Sequence, residues 1–450
     1  MALSDKLTAI ADGFRESNGT TKKLSLDEMA VLASQGSKLA EDVPTTPGQW
    51  ACLARASQMR DIKYTPKANM TSYSDTDVMK SGTEYTGIVY SSVRALDWGF
   101  IGYGVSMYSY LTALNNPKSI IYTRKYSDYF SISAEEDTTG KAYTNVSNVY
   151  GTNCSSFVSY CLDLPYLGVT DTLPTLPNVN EICYGMTNGE VDINALQTEL
   201  KLCDFLVGDG HAVIVTGIRR NIEGLIREVD VSDSWPPRIR KKTYTWDAFV
   251  EYFIANKGYH AYRYSALGGV TFPVNLHDIV YRDICTSRGD KVCIRPDQNI
   301  SLNVLNVGDY AGITLFKDGV QVSTKANTDD WELSNLTTGK YTAILYKSGE
   351  SVTIKDATET NSTSFIVCAV SVSRSGTDYT YTAEAINGVY PTPMQIAVKD
   401  VAGFTLDSLL LDDNDFGGEG SCVYKEFSSG SIIHAPFKTE YGFVIAEGMY

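Results

Sequence analysis

Several things are scarce in this chain, and each shortage removes a class of function. Nowhere do about 18 consecutive apolar residues occur, so no membrane-spanning helix is expected. The opening residues, MALSDKLTAIADG, lack a positive n-region followed by an apolar stretch and a small-residue cleavage site, so no signal peptide and no Sec-type export are expected. The nine cysteines are odd in number, scattered and without CxxC pairs, which reads as reduced thiols rather than a disulfide framework or zinc site. No metal or other cofactor is expected. No long basic run offsets a net charge of −15, and such a surface repels a phosphate backbone, so nucleic acid is not an expected partner. Histidine is rare, at four residues, which narrows any search for a general base.

What is present is enough for real cores. Hydrophobic residues make up 43% and charged residues 20% of 450, and a chain this long exceeds the roughly 250–300 residues one core can serve. Two to four domains are therefore expected. Residues 4–17 place Leu7, Ile10, Ala11 and Phe14 at helical spacing behind a Ser4 cap, and Ser25 with Glu28 forms a capping box before a second short helix. This opening, LTAIADGFRESNGTTKKLSLDEMAVLA, resembles a helical module near the ends of tail, baseplate and fibre proteins of phages that infect Firmicutes. Glu41 to Gln49 has the composition of a linker. From about Trp50 to Leu267 helical and strand patterns mix, as in an α+β domain. After Gly268-Gly269, short runs such as 300–304, 313–316, 341–345 and 363–368 are rich in β-branched and aromatic residues and read as strands, with Lys317-Asp318-Gly319 and Thr338-Gly339-Lys340 as turns. The resulting division is a helical module at 1–42, an α+β domain at 43–267, an immunoglobulin-like β-sandwich at 268–370 and a second β-rich unit at 371–450. Asp412 to Gly420 is expected as an exposed acidic loop, and Trp331, Tyr341 and Tyr346 as sandwich residues rather than a sugar-facing surface.

Three separated segments carry residues suited to nucleophilic catalysis. In Tyr150-Gly151-Thr152-Asn153-Cys154-Ser155-Ser156-Phe157, Asn153 can cap a helix whose apolar positions follow at Phe157, Val158 and Cys161. Cys154 then sits at a helix start, where unpaired N–H groups and the positive end of the dipole favour a thiolate and can steady an oxyanion. Most free cysteines are instead small buried hydrophobes, as Cys161 is expected to be. In Asp209-Gly210-His211-Ala212-Val213, a glycine turn delivers His211 to the first position of an apolar strand. After a polar hairpin at Arg219 to Gly224, antiparallel pairing returns Val231 to Asp233 beside His211. A carboxylate there can accept from the imidazole, fix its tautomer and stabilise its charged form.

The combination resembles a known family. NCSSFVSY is similar to the cysteine-helix motif of NlpC-type peptidoglycan peptidases, usually an acidic residue followed by Cys-Ser-Gly-Phe. His211-Ala212-Val213 and Asp233-Ser234-Trp235 resemble the His-Ala-Val and Asn-Ser-Trp pieces of papain-type peptidases, in the same chain order. Leu202 to Leu206 resembles the strand before the histidine, and Thr86 to Ser91 the substrate-side Gly-x-x-Tyr segment, with Tyr90 over sixty residues from the cysteine. Asn153 and Ser156 depart from the usual Asp and Gly, and Asp233 from asparagine. The resemblance implies a papain-like cysteine hydrolase with Cys154 as nucleophile, His211 as base and Asp233 as its orienting group, with Tyr150, Asn148 and Tyr90 on the oxyanion or substrate side. It implies a peptide or amide bond of bacterial peptidoglycan as substrate. With the N-terminal module, it implies a virion-borne phage tail enzyme made in the bacterial cytoplasm, with other tail proteins as partners. The alternative is a structural or receptor-binding tail protein that keeps the scaffold without the chemistry.

Overall fold

The computed structural model describes residues 39–71, 78–90, 101–103, 105–122, 151–164, 170–183, 191–267, 282–399, 405–425, 431–434, 436–444 and 446, with 8, 12 and 25 as isolated residues. The helices expected at 4–17 and after Ser25 lie outside the described residues but for those three, as do Asn148, Tyr150 and the Gly268-Gly269 boundary. The chain is mostly β-sheet.

Its first sheet is built from β1 (Val179–Ile182), β2 (Phe205–Gly208), β3 (His211–Arg220), β4 (Ile226–Trp235), β5 (Arg238–Thr245) and β6 (His260–Tyr264). These pair antiparallel in the order β5-β4-β3-β2-β6-β1, and the two-residue strand Ala40–Glu41 adds to the end of β3. The central β3 is buried from His211 to Val215 without alternation, as a strand covered on both faces must be. Connections are short: β2 and β3 are joined by Asp209 and Gly210, both with positive φ (51° and 69°), which is the two-residue turn whose twist matches the flanking strands.

Three helices matter to this sheet: α1 (Pro47–Asp61), α2 (Met107–Asn115) and α3 (Cys154–Cys161). The stretch expected as a linker is instead structured. Ala40–Glu41 is paired, Asp42 binds Arg220 at 2.9 Å, and Thr46 caps α1 by accepting from the Gln49 N–H at 3.2 Å. Pro47 that suggested a linker occupies the first helical turn, where its missing N–H costs nothing. α3 packs on β3 and β4, and α1 packs on α3. Phe157, Val158 and Cys161 join Cys52, Ala56, Met59, Val213, Val215 and Val229 in one core. Arg55 of α1 donates from Nε and Nη2 to the Cys161 carbonyl at 3.1 and 3.0 Å, satisfying one of the acceptors left open at the end of α3.

Residues 284–367 form a two-sheet β-sandwich. Ile284–Thr286, Ile300–Val304 and Trp331–Leu333 make one sheet; Val292–Ile294, Ser362–Val367, Gly339–Lys347, Tyr310–Lys317 and Val320–Lys325 make the other. The three-on-five division, with Val292–Ile294 parallel to Ser362–Val367, has an immunoglobulin-like strand order. Asp318 and Gly319, both at positive φ, make a two-residue hairpin turn, whereas Gly339 opens a strand rather than closing a turn. Tyr341 is buried and stacks on Phe365 at 5.2 Å, so it packs the core. Beyond 370, two three-stranded sheets and a two-stranded one enclose a separate core around Tyr381, Ile396, Phe416 and Phe437. The acidic stretch from Asp412 is exposed as expected at 412–415 and 417–419, but it is not all loop: it contains a helical turn, Asp413–Phe416, with Asp412 as cap, and Phe416 is drawn fully into that core.

The sandwich is joined to the first unit by a buried polar seam. Asn116 donates to the Thr286 carbonyl and to Asn303 Oδ1 at 3.4 and 3.0 Å, and Ile120 N–H donates to the Ser287 carbonyl at 3.1 Å. Ser109 of α2 donates to the Asp290 carbonyl. Gly289 sits at φ +97° against the Ser109 carbonyl, a place with neither the conformation nor the room for a Cβ. Gly289→Ala is therefore expected to lower unfolding stability by about 2 kcal/mol or more in denaturant titration of the full chain; an unchanged midpoint contradicts this close-packed seam.

Candidate active site

The turn Asp209-Gly210 sets His211 at the start of β3, and the β3–β4 hairpin returns Asp233 along the neighbouring strand. His211 Nε2 and Asp233 Oδ2 meet at 2.9 Å, with both residues about 8% exposed. Cys154 stands near enough to the imidazole to act on its charge. Burial pulls the His211 pKa down, but Asp233 and Cys154 outweigh it and raise the pKa to about 9. The ring is thus held as an imidazolium beside the Asp233 carboxylate.

Cys154 is the first residue of α3. Asn153 caps the helix: its side chain accepts from the Ser156 N–H at 2.9 Å, while Ser156 Oγ accepts from the Asn153 N–H at 3.1 Å. The two departures from the family pattern, Asn153 and Ser156, are therefore reciprocal partners in a capping box. β4 then fixes both halves of the site through successive residues. Ser234 donates to the Thr152 carbonyl at 2.9 Å, anchoring the turn before Cys154, and Asp233 on the opposite face of the pleat binds His211.

Tyr90, distant in sequence, is brought close: it bridges to Thr152, and its N–H donates to the Pro237 carbonyl at 2.8 Å. The segment therefore lies two residues from Cys154, with its backbone defined. Asn148 and Tyr150, the oxyanion-side candidates, lie outside the described residues.

Arg240 was not singled out from sequence, and Trp235 was named only as the end of a motif. Arg240 stands opposite Asp233 in the β4–β5 ladder and grips both carboxylate oxygens, Nε to Oδ1 at 2.9 Å and Nη2 to Oδ2 at 3.2 Å. Trp235 meets the His211 ring edge-to-face at 5.0 Å, and the Arg240 guanidinium lies 5.6 Å above its ring. The signal for Arg240 was countable, since a tight turn at Pro236-Pro237 places residue 240 across from 233. Burial raises the Asp233 pKa, but hydrogen bonds from His211 and Arg240 prevail and hold it below the usual carboxylate range. A separate cavity of about 320 Å³, lined by Tyr103, Tyr108, Tyr160 and Lys291 among others, contains no member of the Cys154 site. Among the described residues no cluster of His, Cys, Asp and Glu could hold a metal ion.

Arg240→Met leaves Asp233 ionised and buried with one cationic partner. Because the Arg240 side chain is half exposed, the expected loss is about 1–2 kcal/mol at pH 7 rather than the larger figure for a fully buried pair. A depressed carboxylate pKa gives stability that is present above the unfolded value and lost as pH falls through the folded value. The gap between wild type and variant should therefore narrow below about pH 4, and a gap independent of pH contradicts the clamp.

No protein-family model matches the chain, and no curated protein matches it. Solved structures with some likeness include the MG0-NIE-MG1 domains of Escherichia coli alpha-2-macroglobulin, at 10% identity over 55% of this chain and 86% of that one, TM-score 0.15. The fibronectin(III)-like modules of Clostridium thermocellum CbhA share 11% identity over 36% and 90%, TM-score 0.13. Three N-terminal domains of the bacteriophage RB49 outer capsid protein Hoc share 9% over 50% and 89%, TM-score 0.17. Likeness at this level carries no argument about fold or function.

Proposed function

We propose that residues 43–267 are a papain-like, NlpC-type cysteine hydrolase and that the chain is a phage tail-associated peptidoglycan peptidase or amidase. The observation that carries this reading is the His211–Asp233 pair at 2.9 Å on the strand that also anchors the turn before Cys154 through Ser234. The phage tail setting rests on the helical opening and its resemblance to tail modules, and the peptidoglycan substrate rests on the NCSSFVSY motif.

The chemistry follows from the groups present. Cys154 attacks the amide carbonyl carbon as the thiolate, and the developing oxyanion is met by the unpaired N–H at the start of α3. The His211 imidazolium gives its proton to the leaving nitrogen as the C–N bond breaks, leaving a thioester. His211, now neutral, takes a proton from water, whose oxygen attacks the thioester. The adduct expels the Cys154 thiolate as the acid departs, and the thiolate–imidazolium pair is restored. Asp233 keeps the ring oriented and stabilises its charged form throughout, and Arg240 keeps Asp233 ionised.

Purified full-length protein incubated with Gram-positive peptidoglycan should release fragments identifiable by mass spectrometry, with a new amino terminus or a freed sugar lactyl group separating peptidase from amidase. Cys154→Ala should lower the rate by about 10³-fold or more while leaving the unfolding midpoint near wild type. Release that survives the substitution, or none from wild type under any cell-wall chemistry, would support the alternative of a structural tail protein with an inert scaffold.

A further inference from the structure

The chain carries 53 acidic against 38 basic residues, yet β5 reads RIRKKTYT, with four cations in five positions. The pleat sorts them. Ile239 and Lys241 share one face, where Ile239 is buried and Lys241 binds Asp230 at 3.2 Å. Arg238, Arg240, Lys242 and Tyr244 share the other. The ladder sets Arg238 opposite Trp235, Arg240 opposite Asp233 and Lys242 opposite Val231, so this second face is the one that carries the His211–Asp233 pair.

Charge on that face is not balanced. Arg240 is neutralised by Asp233. Lys242 is not: its ammonium lies 4.5 Å above the Tyr244 ring and 5.8 Å from that of Tyr252, and it has no carboxylate partner among the described residues. The two rings stack at 5.9 Å, and Tyr252 is 44% exposed. An edge strand gains from any solvated lysine that discourages pairing with another sheet. That need is met by a freely moving side chain and does not explain one seated on two rings, which gives up rotamer freedom to hold its charge in place. Tyr252 meets Phe253 at 4.9 Å, Phe253 meets Tyr259 at 5.2 Å, and Tyr259 packs against Gly208, the residue paired with His211, so one run of rings links the seat to the His211 end of the sheet. Along β5, Lys242 is about 7 Å from the residue that clamps Asp233.

We propose that Lys242, seated on Tyr244 and Tyr252, is a specificity-determining residue that binds a substrate carboxylate, so that the Cys154 site prefers peptides with a free carboxylate within one or two residues of the scissile amide. This rests on the hydrolase reading for its substrate and on the geometry of β5 alone for the anion site. The carboxylate would give Lys242 the anion that Asp233 gives Arg240, while Arg238, the third cation of this face, lies over the Tyr85 ring and donates to the Thr86 carbonyl.

Two measurements on the full-length protein separate the proposal from the reading beneath it. In the first, Cys154 alkylation by iodoacetate and by iodoacetamide is followed by mass spectrometry, and the ratio of the two rates is compared between wild type and Lys242→Gln. A fixed cation nearby should favour the anionic reagent, and its removal should lower the ratio by about two- to fivefold at low salt, with the effect shrinking as salt rises. In the second, a cell-wall peptide with a free carboxylate is compared with its carboxamide. Wild type should prefer the carboxylate by about 10-fold in kcat/KM, mainly through KM. Lys242→Gln should bring the preference close to one, and Lys242→Arg should retain most of it. An alkylation ratio unchanged by Lys242→Gln, or a carboxylate preference that survives it, overturns the proposal. If neither peptide is cleaved, the hydrolase reading falls, and the alkylation ratio alone decides whether Lys242 makes an anion site.

Discussion

A buried carboxylate is the constraint on which the rest of the first unit depends. Asp233 is about 8% exposed, and an ionised group at that depth is costly unless other charges and donors replace its water. Arg240 supplies a two-pronged grip from one side and His211 a single bond from the other. With Asp233 ionised, the His211 ring is stabilised as a cation. The sulfur, ring and carboxylate are therefore one electrostatic unit whose charge is fixed by an arginine outside it.

Backbone register is what makes that unit possible. The Asp209-Gly210 turn fixes the start of β3, the β3–β4 hairpin fixes where Asp233 returns, and the turn at Pro236-Pro237 fixes Arg240 across from it. Because side chains alternate, one strand serves two purposes: Asp233 turns to the imidazole and Ser234 to the carbonyl of Thr152, which positions the helix bearing Cys154. A slip of one residue in β4 would send the carboxylate to the other face and release both at once.

Much of this was legible in the sequence wherever short-range rules decide. The start of α3 at Cys154 follows from Asn153 and the spacing of Phe157, Val158 and Cys161, and the return of Asp233 follows from counting across a polar hairpin. The strands at 300–304 and 341–345 follow from β-branched runs between turns. What was not legible depended on context beyond a local window. Thr46-Pro47-Gly48 has the composition of a linker and the positions of a helix cap; composition misled because the same residues serve both. Arg240 belongs to no motif, and its role appears only when the ladder is paired. The Ser109–Gly289 seam joins residues 180 apart, and no periodicity announces it.

With only four histidines, the ring of His211 can be followed individually by NMR as pH is raised, with His211→Asn assigning its signals. If thiol, imidazole and carboxylate share one charge-coupled network, this ring stays protonated through neutrality, titrates near pH 9, and moves down when Cys154 is replaced by alanine. A ring that titrates at or below the ordinary value of 6.5, indifferent to Cys154, would contradict the account at its centre.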